Sequence, residues 1–280
     1  MANSWDRAAS AYLEEWVPRF GPYHLDLIKE LVLNEGDKVL VPSCGTGADA
    51  LAVARAVGAT GHVKATDSSE EMIRLCGEQV SAAGLDKIVE TSCLDAAITD
   101  GGPWNAIVCA FGLWQLEDRD RALRAWAKAL TNDGKVGVLT WGPPEPDEPS
   151  EILMQALRDL EPEVGTARSR RKLAARDHMA GMFEAAGLVM IRHTIVRHTL
   201  NFPSGEAFFT ALRNSCSWRG IWEELGDARI GRVAARFYDQ IGGIDAPLSF
   251  EPTATIAIAA RPGAEVRLSH WPSMRVPPMT

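Results

Sequence analysis

Short apolar runs alternate with amphipathic stretches along the first half of the chain. Five runs read as β-strands and span residues 38–41, 62–66, 87–91, 105–110 and 135–141. The stretches between them repeat apolar residues at three- and four-residue spacing, as helices do. Because strands and helices alternate, the pattern predicts a parallel α/β sheet with helices on both faces. Ligands of such sheets bind at the carboxyl ends of the strands.

A glycine-rich turn and a helix directly follow the first strand. The turn reads Pro-Ser-Cys-Gly-Thr-Gly over residues 42–47, and a helical pattern begins at Ala48. Glycines let the backbone approach a ligand closely, and the N–H groups at the start of a helix point towards it. The arrangement predicts a nucleotide-type site, and the residues downstream decide which ligand it holds.

Asp67 ends the second predicted strand, 22 residues after Gly45. A doubly wound fold places at this point the acid that accepts hydrogen bonds from ribose hydroxyls. Residues 67–71 also begin a helix, in which Ser68 and Glu71 fit a capping box. We therefore predict that Asp67 binds a ribose and that Ser68 caps the helix.

Helical patterns flank this core on both sides. An aromatic-rich amphipathic helix is predicted over residues 5–17, and Pro18 with Gly21-Pro22 separates it from a second helix over about 23–33. These helices either cover the sheet or close over a ligand. Further helices are predicted within 150–186 and 204–242. The first of these ranges contains a basic run at 168–172, which either forms a solvated face or meets an anionic group of the substrate.

The patterns divide the chain into five segments. These are an N-terminal helical cap (1–36), a core (37–142), a helical insertion or lid (143–186), a C-terminal part of the core with a helical lid segment at 204–242 (187–262), and an extended, proline-rich tail (263–280). The tail from Arg261 is expected to pack loosely.

The charge and the apolar runs narrow the range of partners. A net charge of −8 argues against a broad nucleic-acid or anionic-membrane surface, because such partners need clustered Lys and Arg. No apolar run reaches the ~18 residues of a membrane span. The first residues lack the apolar centre of a signal peptide. We therefore expect a cytoplasmic protein with a small-molecule partner, no nucleic acid and no membrane span.

The five cysteines do not suggest a disulfide framework or a zinc cluster. They are widely spaced and include no C-x-x-C pair. His193 and His198 lie in a strand-like stretch, where their odd separation places them on opposite faces. No metal site is predicted.

Several short motifs follow one another along the chain: Cys44-Gly45-Thr46-Gly47, Asp67-Ser68-Ser69 with Met72, Asp95-Ala96, Ala110-Phe111-Gly112-Leu113 and Asn132-Asp133-Gly134-Lys135-Val136. Taken in this order they resemble the class I S-adenosylmethionine (SAM)-dependent methyltransferases, particularly the branch that methylates quinones and secondary metabolites. The resemblance covers residues 1–141 well and 180–260 loosely. It implies a doubly wound, Rossmann-like sheet of seven strands, the last antiparallel, with helices on both faces and a helical lid.

The resemblance also implies a position for each part of SAM, the expected cofactor. The implied cofactor-binding residues are Ser43, Gly45, Thr46 and Gly47 beside the methionine part, Asp67 and Ser68 at the ribose, Met72 and Asp95-Ala96 at the adenine, Ala110 and Phe111 beneath the sulfonium, and Tyr12 folding over the whole. Trp16 and Gln115 are expected on the substrate side.

Three positions depart from the family pattern. The family has an acid at the position of Val41, a glycine at that of Ser43 and often a histidine pair at that of Trp114-Gln115. The acid helps to hold the amino end of SAM, so Val41 leaves this contact without its usual partner. Pro42 also stiffens a turn that normally contains more glycine.

Methyl transfer needs few catalytic side chains, because the cofactor supplies the reactivity and the protein supplies alignment and exclusion of water. His24 is the candidate base for a hydroxyl or an acidic carbon. The aromatic helices predict a small, largely apolar acceptor, such as a quinone or a secondary metabolite. Three alternatives stay open: a SAM-binding enzyme of cyclisation or rearrangement, an NAD-dependent oxidoreductase using Gly45-x-Gly47 with Asp67, and a non-catalytic binding protein.

Overall fold

The computed structural model describes residues 2–164 and 173–279. Seven strands form its central sheet: β1 (Lys38–Pro42), β2 (His62–Asp67), β3 (Val89–Cys93), β4 (Trp104–Ala110), β5 (Leu130–Trp141), β6 (Val189–Arg197) and β9 (Thr253–Ala260). Their order is β3-β2-β1-β4-β5-β9-β6. β9 runs antiparallel to both β5 and β6. The predicted seven-stranded sheet with an antiparallel last strand is confirmed.

Ten described α-helices pack around this sheet. They are α1 (Ala2–Ala11), α2 (Val17–Leu31), α3 (Ala48–Val57), α4 (Glu70–Ala82), α5 (Arg119–Ala129), α6 (Pro149–Leu160), α7 (Arg176–Ala185), α8 (Gly205–Arg213), α9 (Cys216–Leu225) and α10 (Asp227–Ile241). None of the helices described is both long enough and apolar enough to span a bilayer.

The sheet is buried because its strands carry apolar residues on both faces. Val39, Val41 and Val108 pack on one side of the sheet, whereas Leu40 and Ile107 pack on the other. Alternate residues of a strand point to opposite faces, so each strand contributes to two hydrophobic layers. The layers fix the carboxyl ends of β1, β2 and β4 side by side, where the candidate site lies.

The N-terminal helices form one continuous helical rod, and the predicted break at Pro18 and Gly21-Pro22 is wrong. α1 passes through a π-helical turn at Tyr12–Trp16 directly into α2. Pro18 is the second residue of α2 and directly follows the π-helical turn. Pro22 lies inside α2, and burial of Tyr23 and Leu27 on the core-facing side offsets its lost hydrogen bond.

The cap of α4 is Ser69, so the prediction that Ser68 caps this helix is wrong. Ser69 has extended backbone angles, and its Oγ accepts a hydrogen bond from the Met72 N–H at 3.2 Å. The same hydroxyl donates to Asp6 of α1 at 2.5 Å. Ser68 is thereby left on the side of the turn that faces the candidate site.

The chain after β9 also differs from its prediction, because it is an ordered hairpin rather than a loosely packed tail. β10 (Glu265–Leu268) pairs antiparallel with β11 (Trp271–Arg275). Val266 and Val276 are buried against Ala260 and the partly buried Val189. The hairpin therefore covers the end of the sheet that β6 and β9 form.

A helical lid lies over the carboxyl ends of the strands and consists of α6, α8, α9 and α10. A two-stranded sheet of β7 (Leu200–Phe202) and β8 (Leu248–Phe250) supports it. Glu161, only 3% exposed, accepts hydrogen bonds from Arg229 and Arg232 of α10 and ties α6 to that helix. The basic run at 168–172 lies outside the described residues.

Candidate functional site

A cavity of about 1100 Å³ lies between the carboxyl ends of β1, β2 and β4, the N-terminal rod and the helical lid. Fourteen of the residues implicated by the sequence line it: Tyr12, Trp16, His24, Ser43, Gly45, Thr46, Asp67, Ser68, Met72, Asp95, Ala96, Ala110, Phe111 and Gln115. These residues come from five separate segments of the chain (12–24, 43–46, 67–72, 95–96 and 110–115), and the fold brings them together.

Gly47 is implicated by the sequence but does not line the cavity. It has a φ of +95°, and a Cβ at this position would lie 2.7 Å from Cys76 Sγ of α4. The glycine is therefore required where α3 begins against α4, behind the wall of the cavity. Its role is to let the two helices approach each other.

The glycine-rich turn is held in shape by Asp67. One carboxylate oxygen accepts the Gly45 N–H at 3.0 Å and the other accepts the Ser69 N–H at 3.0 Å. Gly45 has a φ of +54° and Ser43 a φ of +57°. The left-handed conformation at Ser43 is the one a glycine adopts without strain, so the turn keeps its expected shape although the glycine is missing.

Aromatic rings form the floor of the cavity beside this turn. Phe111, at the end of β4, also has a positive φ of 54°. Its ring stacks on Trp141 with centroids 4.2 Å apart, and Phe20 contacts both rings at 5.4 and 4.9 Å. Backbone strain of this kind concentrates at functional sites, where the surrounding packing holds it in place.

His24 lies against the same floor, with its ring 5.7 Å from that of Phe111. The side chain is 6% exposed, and its Nδ1 has no hydrogen-bond partner among the described residues. Burial lowers the pKa of His24 to about 4, because a charged imidazolium would lose its hydration. The imidazole is therefore neutral near pH 7 and able to accept a hydrogen bond.

The opposite end of the cavity is lined by Met72 and by the segment after β3. Asp95 Oδ1 accepts the Ala97 N–H at 2.9 Å and lies 3.6 Å from a guanidinium nitrogen of Arg121. The Ala96 carbonyl accepts a hydrogen bond from Trp126 Nε1 at 2.7 Å, which fixes the position of that backbone segment. Met72 is 2% exposed and forms an apolar wall.

Trp5 connects the N-terminal rod to the core and is a residue that the sequence did not single out as part of the site. Its Nε1 donates a hydrogen bond to Gln115 Oε1 at 3.0 Å. Gln115 Nε2 in turn donates to the Phe111 carbonyl at 3.3 Å. Gln115 thus links α1 to the floor. Trp5 and Gln115 are 110 residues apart in the sequence, so only the folded structure shows that Trp5 contacts the site.

Asp49, in the first turn of α3, is the second residue that sequence reasoning missed. It lines the cavity, although it is only 1% exposed. Burial raises the pKa of Asp49 to about 8, because the carboxylate is withdrawn from water. Acids are common in the first turn of a helix because they interact favourably with the helix dipole. The position of Asp49 in the sequence therefore did not indicate a binding role.

The charges at the turn favour a cationic ligand. Across residues 2–164 and 173–279, no Lys, Arg or His pairs with Asp49 or Asp67, and burial also raises the pKa of Asp67. Thr46 Oγ1 is buried here without a hydrogen-bond partner from the described residues. A sulfonium or an ammonium group would favour the ionised form of these two buried acids, whereas a pyrophosphate would disfavour it. These residues fit SAM better than NAD.

Comparison with known proteins agrees with this geometry. Residues 39–134 match a protein-family model described as a methyltransferase domain. A demethylmenaquinone methyltransferase of Lactobacillus johnsonii is 32% identical over 119 residues, which cover 41% of this chain and 48% of that protein. Its counterpart in Halalkalibacterium halodurans is 26% identical over 188 residues, covering 62% and 76%. This chain thus matches about half the length of the Lactobacillus relative.

One solved structure of similar fold is that of the cyclase SpnF. It superimposes with a TM-score of 0.57 at 19% identity, covering 88% of this chain and 83% of that chain. At this level of identity the likeness concerns the fold alone.

Proposed function

We propose that this chain, a class I SAM-dependent methyltransferase by its domain and its strand order, transfers a methyl group from SAM to a small, largely apolar acceptor. The resemblance predicted from the motifs is confirmed by the domain match over residues 39–134 and by the strand order of the sheet. One observation carries the proposal: two buried acids, Asp49 and Asp67, which have no cationic partner among the described residues, adjoin an aromatic floor inside a lidded cavity.

Bound SAM supplies an activated methyl group on its sulfonium. The chain's own residues would hold it along the turn, with Asp67 at the ribose hydroxyls and the Asp95-Ala96 segment at the adenine. Met72 would pack against the base. The rod would close over the cofactor through Tyr12, whose ring lies edge-on to Trp5 with centroids 5.7 Å apart. Closure of this kind excludes water from the transferring methyl group.

The acceptor is proposed to be uncharged and flat, because aromatic rings wall the remaining cavity. Phe20 and Trp141 lie at its floor, and Phe208 and Trp218 face it from the lid. In the described part of the chain, the basic residues lining the cavity are Arg121 and Arg158, and each has a carboxylate partner, Asp95 and Glu151 respectively. This supports a quinone-like acceptor over a phosphorylated one.

His24 is proposed to receive the proton of the acceptor. An oxygen or an acidic ring carbon of the acceptor would attack the methyl carbon, so that a C–O or C–C bond forms as the C–S bond breaks, and the proton that the acceptor loses would pass to the imidazole and then to solvent. The pKa of His24 is about 4, so its imidazole is a weak base. A weak base suits an acceptor whose hydroxyl ionises readily, as in hydroxyquinones. The name of the two relatives supports demethylmenaquinone-type compounds as the first acceptors to try.

Two measurements test the proposal. Calorimetric titration with SAM and, separately, with NAD is expected to show binding of SAM alone; absence of SAM binding at millimolar concentration would overturn it. Transfer of labelled methyl from SAM to a panel of hydroxyquinones and phenols is expected to give labelled product. Binding of SAM without any transfer would instead favour the alternative of cyclisation or rearrangement. The net charge of −8 further supports our proposal that the enzyme has no nucleic-acid partner, and we also propose that it is cytoplasmic.

A further inference from the structure

The acid that the family places at the end of the first strand is missing, and the structure shows that Val41 does not substitute for it. Val41 is fully buried in the hydrophobic layer with Val39 and Val108. It does not line the cavity. The amino end of SAM therefore needs a different anionic partner on this side of the turn.

Asp49 provides a carboxylate in the right region of the cavity. It lies two residues after Gly47, in the first turn of the helix that the glycine-rich turn leads into. One of its oxygens accepts the Ala50 N–H at 2.9 Å. A carboxylate oxygen has more than one lone pair, so this hydrogen bond leaves acceptor capacity for a ligand.

The surroundings of Asp49 contain acids and neutral groups but no partner cation. Asp67 faces it from β2 and raises its pKa, after the larger effect of burial. Tyr12 of the rod, Cys44 of the turn and Cys109 of β4 face it as well. Burial raises the pKa of Tyr12 and Cys109, a hydrogen bond with Cys76 raises that of Cys44, and Asp49 adds a smaller increase to each. No basic side chain among the described residues offsets these interactions. A buried carboxylate in such a place is most stable when a ligand brings the positive charge.

We propose that Asp49 takes the place of the missing acid and binds the ammonium group of SAM's methionine part. This inference rests on the proposed function, because it assigns another residue to the same cofactor site. The ammonium group donates to the carboxylate in a pocket from which water is excluded, where a charge-assisted hydrogen bond is strong. The acid has thus moved from the end of β1 to the first turn of α3.

Three ligands separate the ammonium from the other parts of SAM. SAM carries an ammonium and a sulfonium, S-adenosylhomocysteine keeps the ammonium without the sulfonium, and 5′-methylthioadenosine lacks both of these groups together with the carboxylate of the methionine part. Calorimetry is expected to show that Asp49→Asn weakens SAM and S-adenosylhomocysteine by about 10- to 100-fold, the effect of losing a hydrogen bond to a charged group. Binding of 5′-methylthioadenosine is expected to change less than about twofold, since the asparagine keeps the packing.

A matched variant at the other end of the cavity serves as the control. Asp95→Asn is expected to weaken all three ligands by a similar factor, because the adenosine part is common to them. The proposal is overturned if Asp49→Asn weakens all three ligands alike or none of them. It is also overturned if SAM alone is weakened, since that would place Asp49 at the sulfonium. Failure of the unaltered protein to bind SAM would instead refute the proposed function.

Proton release provides a readout that needs no variant. Because the pKa of Asp49 is about 8, its carboxyl is mostly protonated at pH 7, and an arriving ammonium group would displace the proton. Titration in buffers of different ionisation enthalpy is expected to show release of up to one proton with SAM and with S-adenosylhomocysteine. None is expected with 5′-methylthioadenosine. Equal release with all three ligands would count against the assignment.

Discussion

Ser43 and Gly112 fit against each other where the glycine-rich turn meets the end of β4. A Cβ on Gly112 would lie 2.6 Å from Ser43 Cβ and 3.0 Å from Cys109 Sγ. Gly112 has an ordinary φ of −91°, so space rather than backbone conformation requires the glycine. The family has glycine at the position of Ser43. The Ser43 side chain fits there because Gly112, which packs against it, has no side chain.

Gly112→Ala is expected to lower the free energy of unfolding by about 1–3 kcal/mol, because the added methyl group overpacks the site. Urea unfolding followed by circular dichroism measures the change. Ser43→Gly alone should be nearly neutral, since relief of about 1–2 kcal/mol of left-handed strain offsets the greater entropy of glycine in the unfolded chain. In the double variant, Ser43→Gly should restore part of the loss, and strictly additive effects would contradict the contact.

Asp67→Ala is expected to weaken SAM binding by about 10- to 100-fold, because it removes the ribose acceptor and frees the Gly45 and Ser69 N–H groups. Calorimetry with SAM measures this. Asp86→Ala is the matched control, since Asp86 is an exposed acid that accepts a hydrogen bond from the surface residue Ser81. An unchanged affinity in Asp67→Ala would show that the ribose assignment is wrong.

The stability of the ligand-free protein is expected to fall as the pH rises from about 6.5 to 8. Asp49 has a pKa of about 8 in the folded chain and an ordinary value of 3.8, so unfolding releases a proton in this window. The slope can reach about 1.4 kcal/mol per pH unit for one such group. Asp67 acts in the same direction. His24, with a pKa near 4, acts oppositely only below about pH 6.5.

Asp49→Asn is therefore expected to flatten the decline between pH 6.5 and 8. Chemical denaturation at several pH values in that window measures both slopes. A steeper decline in the variant, or an identical one, would contradict the buried, uncompensated carboxyl that the structure shows at this position.

Lys135→Met is expected to lower the free energy of unfolding by about 2–3 kcal/mol, because it leaves buried carbonyl groups without donors. Lys135 is 6% exposed, and its Nζ donates to the carbonyl groups of Leu31, Val32 and Arg267. These bonds join the end of α2 to the C-terminal hairpin. Denaturant unfolding measures the loss. Lys128→Met, at an exposed position of α5, should change the stability by less than about 0.5 kcal/mol.

The sequence by itself determined the core and much of the site. Apolar periodicity located the strands of the first half to within a few residues, because a buried strand must be apolar wherever it is packed on both faces. The order of the motifs then predicted that Asp67, Asp95 and Phe111 would meet at one edge of the sheet. They do so because the carboxyl ends of parallel strands lie side by side.

Other features depend on contacts between distant segments, and only the tertiary structure decided them. Pro18 and Pro22 suggested a break, but packing of the rod against the core keeps it helical. The proline-rich end forms a hairpin because Val266 and Val276 find an uncovered end of the sheet. Asp49 reads locally as an ordinary first-turn acid. It becomes a candidate ligand only because the fold buries its carboxylate beside Asp67, with no cation of the described chain to balance either charge.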